Sequence, residues 1–232
     1  FIAKPLDAGE VRVRISALLA MKRLAKEAAA SEMAFLQSQI KPHFLYNALG
    51  TIMSLCYTDG PRAGELLAVL SRYLRIIFHP NHSEETVPLH KEMELVQAYA
   101  DIEQARFGNR LRLRFEVDER LLDIPVMPLT IQPLVENAIR HGVARKVDGG
   151  TVRLAIAREN GYARIEVEDD GVGMSAEQAK ELLEAGGNRE GVGFANIMKR
   201  VLHRTGRLPQ LESVPGQGTK VTIWLPLSDT YR

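Results

Sequence analysis

Apolar residues recur at spacings of three and four from Ile15 through Leu18/Leu19, Ala25, Ala28/Ala29, Met33, Leu36, Ile40, Phe44, Ala48 and Ile52 to Leu55. Such a stripe is the buried face of one helix. It is too long for an ordinary globular helix, so it calls for a coiled-coil or helical-bundle partner. One proline interrupts it. Pro42 removes a backbone hydrogen bond, at a cost of about 3 kcal/mol in mid-helix, and His43 follows directly. A rule broken once in an otherwise consistent segment often marks a working site.

After the turn Thr58-Asp59-Gly60-Pro61, a second amphipathic helix is expected from about Arg62 to Phe78. Its apolar face is Leu66, Leu67, Leu70, Tyr73, Leu74 and Ile77. Two such helices joined by a short loop make an antiparallel hairpin. One hairpin cannot bury its faces alone, so two chains are expected to associate as a four-helix bundle. Residues 79–88 read as polar and irregular, and a third helix follows from Leu89 to Phe107.

The periodicity then changes. Leu111-Arg112-Leu113-Arg114-Phe115-Glu116-Val117 alternates as a half-buried strand does. Pro128 to Gly142 reads as one helix. Thr151–Arg158 and Tyr162–Glu168 read as strands joined by Asn160-Gly161. Helices follow at Ala176–Ala185 and Gly193–Thr205, and strands at Leu208–Val214 and Thr219–Leu225. The expected class is α+β: a helical-hairpin dimerisation domain, then an α/β sandwich with a mixed, mostly antiparallel sheet.

Totals exclude some classes. The formal net charge of +1 over 232 residues gives no global pull towards nucleic acid or an anionic membrane. Cys56 is the single cysteine, which rules out an internal disulfide, and it reads as a small buried apolar residue. No uninterrupted apolar run reaches the ~18 residues of a membrane span. There is no initiator Met or signal peptide, so the chain reads as part of a longer protein whose membrane or sensing segments lie upstream.

Four motifs in the second half carry chemistry. In Leu134-Val135-Glu136-Asn137-Ala138-Ile139-Arg140-His141-Gly142, helical spacing puts Asn137, Arg140 and His141 on one face. That face offers an amide oxygen to a hard cation and cationic donors to phosphate. Asp169-Asp170-Gly171-Val172-Gly173 ends a strand. A carboxylate there accepts a hydrogen bond from an exocyclic amine, and glycines admit a flat base close to the backbone. Gly191-Val192-Gly193-Phe194-Ala195-Asn196 runs into a helix whose N-terminus suits a polyphosphate. In Gly216-Gln217-Gly218-Thr219 a hydroxyl follows a tight turn. A dinucleotide-binding loop is excluded by the incomplete Gly-x-Gly-x-x-Gly pattern and a Walker loop by the lack of Gly-Lys-Ser/Thr.

With Pro42-His43-Phe44-Leu45-x-Asn47 and the box from Leu134 to Gly142, residues 34–227 resemble the catalytic core of a LytS-type sensor histidine kinase with a GHKL (Bergerat-fold) ATP-binding domain. The resemblance implies ATP and Mg²⁺, with His43 as phosphoacceptor and Asn137 as the metal ligand. It implies that Asp169 reads the adenine amino group and that Thr219 assists through water. Gly171, Gly173, Gly191 and Gly193 would bound the pocket, with Ser175–Glu190 as a lid and Arg140, His141 and Asn196 on the phosphate side. Asn47 is a candidate for placing a water or phosphoryl oxygen. Phe44 stands where commoner histidine kinases carry an acid, which leaves Glu136 as the candidate base. Lys41 stands where the family often has Asn. Phe1 to Leu24, with its Lys4-Pro5, resembles the end of a receiver domain, in which Lys4 would be the phosphate-sensing lysine.

The implied organisation is a receiver tail and linker start over 1–24, linker and phosphotransfer helices over 25–108, and the ATP-binding domain over 109–232. The implied partners are a second copy of the chain and a response-regulator receiver domain. The implied setting is the cytoplasmic portion of a membrane-anchored bacterial sensor. The main rival is a nucleotide-binding pseudokinase scaffold. A gyrase-type clamp would need a transducer domain after the ATP site, and an anti-sigma serine kinase has no use for the His43 helix.

Overall fold

The computed structural model describes residues 42–78, 86–184 and 192–227, without the side chains of 183, 184, 192 and 193. The receiver-like segment, the linker stripe up to Lys41 and residues 185–190 of the expected lid lie outside them. Among the described residues, those from Pro42 to Tyr46 fall in one contact unit and those from Asn47 onward in another.

Helix α1 (Pro42–Thr58) carries buried Phe44, Ala48 and Ile52 at four-residue intervals, as the stripe predicts. Cys56 is exposed, not buried. Its position in that stripe is one residue past Leu55, which turns it to the open side of the helix. Asp59 then breaks the chain and caps α2 (Gly60–Ile77), accepting from the Arg62 N–H at 3.1 Å. Helix α2 buries Ala63, Leu66, Leu70, Tyr73 and Ile77. This face packs on α3 (Leu89–Phe107), with the Tyr73 and Tyr99 rings 6.4 Å apart. Leu67, expected on the same face, is exposed.

The sheet is mixed and mostly antiparallel. Strands β2 (Leu111–Val117), β4 (Gly150–Glu159), β5 (Tyr162–Asp169), β7 (Gly218–Pro226) and β6 (Gln210–Val214) lie in the order β2-β4-β5-β7-β6. Only β2 and β4 run parallel; the chain between them crosses over through α4 (Gln132–Asn137). Asn160 (φ 49°) and Gly161 (φ 81°) turn β4 into β5, the left-handed pair that a two-residue hairpin needs. Separately, β1 (Val87–Pro88), at the end of the stretch that the sequence reads as irregular, pairs with β3 (Pro125–Val126).

Alternation gives the sheet two different faces. Val152, Leu154, Ile156, Ala163, Ile165, Val167, Val221 and Ile223 are all buried on the helix side. On the other side Glu166, only 4% exposed, receives Arg153 at 2.7 Å, Arg164 at 2.6 Å and Lys220 at 3.2 Å. Three cations around one carboxylate satisfy the charge that burial would otherwise leave costly. Helices α3, α5 (Ala176–Glu184) and α6 (Val192–Thr205) contact this sheet at β2, β6 and β7. Among the described residues no helix is long and apolar enough to cross a membrane.

Candidate nucleotide site

The segment Pro128–Gly142 is not the single helix its apolar pattern suggests. It starts as an open loop with Leu129 at φ 54°, forms α4, widens into a π-helical turn over Ala138–Gly142 and tightens again over Val143–Arg145. Widened turns of this kind are frequent at functional sites. Here the turn brings Gly142 against the end of β5, where Asp169 lies.

A cavity of about 600 Å³ opens between this segment and the sheet, a volume typical of small-molecule sites. Its apolar walls are Leu134, Val167, Leu211, Val221 and Phe194. Its polar groups include Asn137, His141, Arg145, Asp169 and Thr219, with Gln178 and Glu181 reaching in from α5.

Asp169 is the centre of the geometry. Its side chain is buried, and its Oδ1 accepts the Gly171 N–H at 2.9 Å. Burial pushes its carboxyl up to about 6, against the Gly171 and Thr219 backbone N–H groups, which pull it down; Asp170 and Glu168 add a smaller upward push. The chain packs so closely here that a Cβ on Gly142 or on Gly171 would meet the Asp169 carboxylate, and one on Gly171 would also meet the backbone of Gly142. Only residues without side chains leave that carboxylate facing the cavity.

Thr219 is held by a small network. Its Oγ1 lies 2.9 Å from the Ser213 hydroxyl, which also donates to the Gly218 carbonyl at 3.0 Å and accepts the Met174 N–H at 2.8 Å. Ser213 thus ties the strand hydroxyl to the glycine loop after Asp169. At the opposite side Arg145 Nη2 is 3.2 Å from His141 Nδ1. Neither Ser213 nor Arg145 stands out in the sequence. The signal for Ser213 is its register opposite Thr219, and Arg145 reaches the cavity beyond the π-turn, where the helix has tightened again.

The sequence candidates divide. Asn137, His141, Asp169, Gly173 and Thr219 line one cavity, and Gly171 is buried beneath it. Arg140 is not in the lining; its charge acts on Glu103 of α3. Glu136 is buried away from the lining, near Tyr73, Tyr99 and Glu103, all of whose ionisation it influences, and it accepts from Gln132 Nε2 at 3.5 Å. Asn196 lies exposed on α6, and Gly193 is in the first turn of that helix, while Gly191 is outside the described residues. His43 is exposed on α1, and the Asn47 carbonyl accepts from the Thr51 hydroxyl at 3.0 Å.

A sheet with helices on one face and a buried aspartate opening into a glycine-walled cavity defines an α/β ATPase-type domain. The corresponding family model, histidine kinase-, DNA gyrase B- and HSP90-like ATPase, matches residues 126–229, and a second, histidine kinase, matches residues 31–111. The chain belongs to the histidine kinase family and carries the kinase core of the LytS type.

Among its relatives is the putative uncharacterized protein YwpD of Bacillus subtilis, 41% identical over 231 residues, which are 99% of this chain and 82% of YwpD. The sensor protein LytS of Oceanobacillus iheyensis is 38% identical over 89% of this chain and 36% of its own length. The sensor histidine kinase BtsS of Escherichia coli is 33% identical over 86% of this chain and 34% of its own length. The chain thus spans about a third of the length of these two sensors. A histidine kinase domain from Erythrobacter litoralis EL346 superposes with a TM-score of 0.49 at 21% identity, covering 85% of this chain and 92% of that one.

Proposed function

We propose that this chain autophosphorylates on His43 with ATP as substrate and passes the phosphoryl group to an aspartate of a response regulator. The observation that carries the reading is the Asp169 site: a buried carboxylate kept open to a 600 Å³ cavity by Gly142 and Gly171, with Asn137, His141 and Thr219 around it. The donor set suits the ligand. Asp169, ionised, accepts from an exocyclic amine. The apolar walls suit a flat base, and His141 with Arg145 offers donors to phosphate oxygens. Arg145 takes the place beside His141 that the sequence assigns to Arg140.

Mg²⁺ is commonly held through one or two protein ligands together with substrate phosphates and water, and the Asn137 carboxamide oxygen meets that need. Bound there, the cation would neutralise charge on the transferring phosphoryl group. His43 contributes an imidazole nitrogen as the nucleophile. That nitrogen forms the bond to phosphorus as the bond to ADP breaks. Glu136, packed against α2 and α3 and outside the cavity lining, fits a structural role better than that of a base.

The same reading divides the chain into a receiver tail with linker start (1–24), linker and phosphotransfer helices (25–108) and the ATP-binding domain (109–232). It takes the working form to be a homodimer, supported by the apolar residues left open on α1, and takes the chain to be the cytoplasmic part of a larger, membrane-anchored bacterial sensor. The test is incubation with γ-labelled ATP and Mg²⁺. Acid-labile, base-stable label is expected on the wild type and none on His43→Gln, with nucleotide binding retained in both. Label surviving in His43→Gln, or wild type that binds ATP without becoming labelled, overturns the assignment.

A further inference from the structure

Helix α4, which ends at Asn137, and the π-turn after it hang from a node outside the cavity lining. Glu92 of α3 is 2% exposed. Its Oε1 accepts the Leu129 N–H at 2.6 Å, and its Oε2 accepts those of Thr130 and Ile131, each at 3.0 Å. These are the residues leading into α4, and the Ile131 carbonyl begins the helix by accepting from Leu134 and Val135 at 3.0 and 3.1 Å. A buried carboxylate taking three backbone donors from one short segment fixes that segment far more tightly than packing alone. It also explains how Leu129, a non-glycine residue, is held at φ 54°, a conformation that persists only when its surroundings over-determine it.

The same segment is gripped from its other side. Arg200 of α6 uses one nitrogen, Nη2, to donate to the Pro128 carbonyl at 2.8 Å, the Leu129 carbonyl at 2.7 Å and the Thr130 hydroxyl at 2.8 Å. Helix α6 also supplies Phe194 to the cavity wall. The loop therefore has the N–H groups of Leu129, Thr130 and Ile131 on α3 and the carbonyls of Pro128 and Leu129 with the Thr130 hydroxyl on α6, and it leads straight into the six-residue α4 that ends at Asn137. Nothing soft intervenes between the loop and Asn137.

We propose that Glu92 and Arg200 are positioning residues which set the placement of Asn137 for the metal-bearing phosphates, with Arg200 coupling α6 to that placement. The inference rests on the nucleotide reading of the cavity. It says that the node serves the metal-dependent part of nucleotide binding and leaves the base-binding part around Asp169 alone. Partners standing behind a metal ligand commonly change affinity or activity by about 10- to 100-fold when removed.

The experiment compares wild type with Glu92→Gln, Arg200→Met and Arg200→Lys by calorimetric titration of a non-hydrolysable ATP analogue with Mg²⁺, and of ADP in EDTA. For Glu92→Gln and Arg200→Met the magnesium-loaded analogue is expected to weaken by about tenfold or more, while metal-free ADP binding stays close to wild type. Arg200→Lys is expected to recover most of the loss, since a single nitrogen makes all three contacts and an ammonium has three protons to give. In nucleotide-free protein the amides of Leu129, Thr130 and Ile131 are expected to exchange faster in Glu92→Gln.

Parallel loss of both ligands, or no loss of either, overturns the proposal, and so does unchanged amide exchange. Should Glu92→Gln fold poorly, the Arg200 pair decides, because Met without Lys rescue shows only lost packing. Wild type that binds neither ligand sinks the nucleotide reading and the positioning role with it. Wild type that binds both, beside variants that behave identically, sinks the positioning role alone.

Discussion

The Asp169 carboxylate accepts the backbone N–H of Gly171 at 2.9 Å from within a buried pocket, and it is this pairing of burial with a nearby donor that leaves the acid titrating at about 6. Two effects of pH follow. An ionised Asp169 is the better acceptor for an amine, so affinity for ADP is expected to fall as pH is lowered from 7.5 through 6, with half the effect near that value. The unliganded fold should respond with the opposite sign. Between 3.8 and about 6 the folded state holds a proton that the unfolded chain has released, so stability declines as pH rises across that window and is level above it. Titrations of ADP at several pH values, beside Asp169→Asn, check the first effect; a flat profile contradicts it.

Gly171 sits where any side chain would collide with the Asp169 carboxylate and the backbone of Gly142. Gly171→Ala is therefore expected to destabilise the protein by about 1–3 kcal/mol, as overpacking does. It should also displace Asp169 enough to abolish measurable ADP binding. Thermal melting with and without ADP separates the two effects: the variant should melt lower and show no upward shift on adding the nucleotide.

How far the sequence determines all this depends on how local each cause is. Helix α3 and strand β2 occupy the spans their patterns predict, Leu89–Phe107 and Leu111–Val117, because periods of 3.6 and 2 are written in neighbouring residues. The Asn160-Gly161 turn is local in the same way. The start of α4 is not. Leu129 to Ile131 look helical by their apolar spacing, but their N–H groups are taken by Glu92, 37 to 39 positions earlier in the chain. Arg140 and Arg145 exchange places at the cavity because the helix between them widens into a π-turn, which spacing by 3.6 does not anticipate. The buried face of α2 was legible, but its cover, α3, was not, since amphipathicity names a face and not its partner. Asp169 and Asn137, each inside a short motif, were legible as candidates; their shared cavity required the crossover from β2 to β4.

Ser213 joins three elements through one hydroxyl: the Met174 N–H, the Gly218 carbonyl and the Thr219 hydroxyl. Ser213→Ala leaves the Met174 donor without its acceptor and lets the Thr219 hydroxyl turn. A loss of about 1 kcal/mol in stability is expected, the usual size for one hydrogen bond in a part-buried site. Thr219 itself stays in place through its strand pairing with Asp169. ADP affinity should therefore fall by less in Ser213→Ala than in Thr219→Val, and binding curves for the two variants side by side check the order.

Helix α1 leaves Leu49, Met53 and Tyr57 exposed at 41%, 63% and 89%, four residues apart along one line. Single exposed apolar residues are ordinary, but a line of them on an amphipathic helix is the surface a second helix covers. Leu67 of α2, 52% exposed, is also open. A lysine in the middle of this line would carry a charge into any helix–helix contact, and leaving an unpaired charge there is costly. Met53→Lys is accordingly expected to shift the protein from dimer to monomer in light scattering at micromolar concentration. The cavity residues run from Leu134 to Val221 and include none of α1, so the monomeric variant should bind ADP as wild type does. Dimers that persist in Met53→Lys and in Leu49→Lys would place the association surface elsewhere on the molecule.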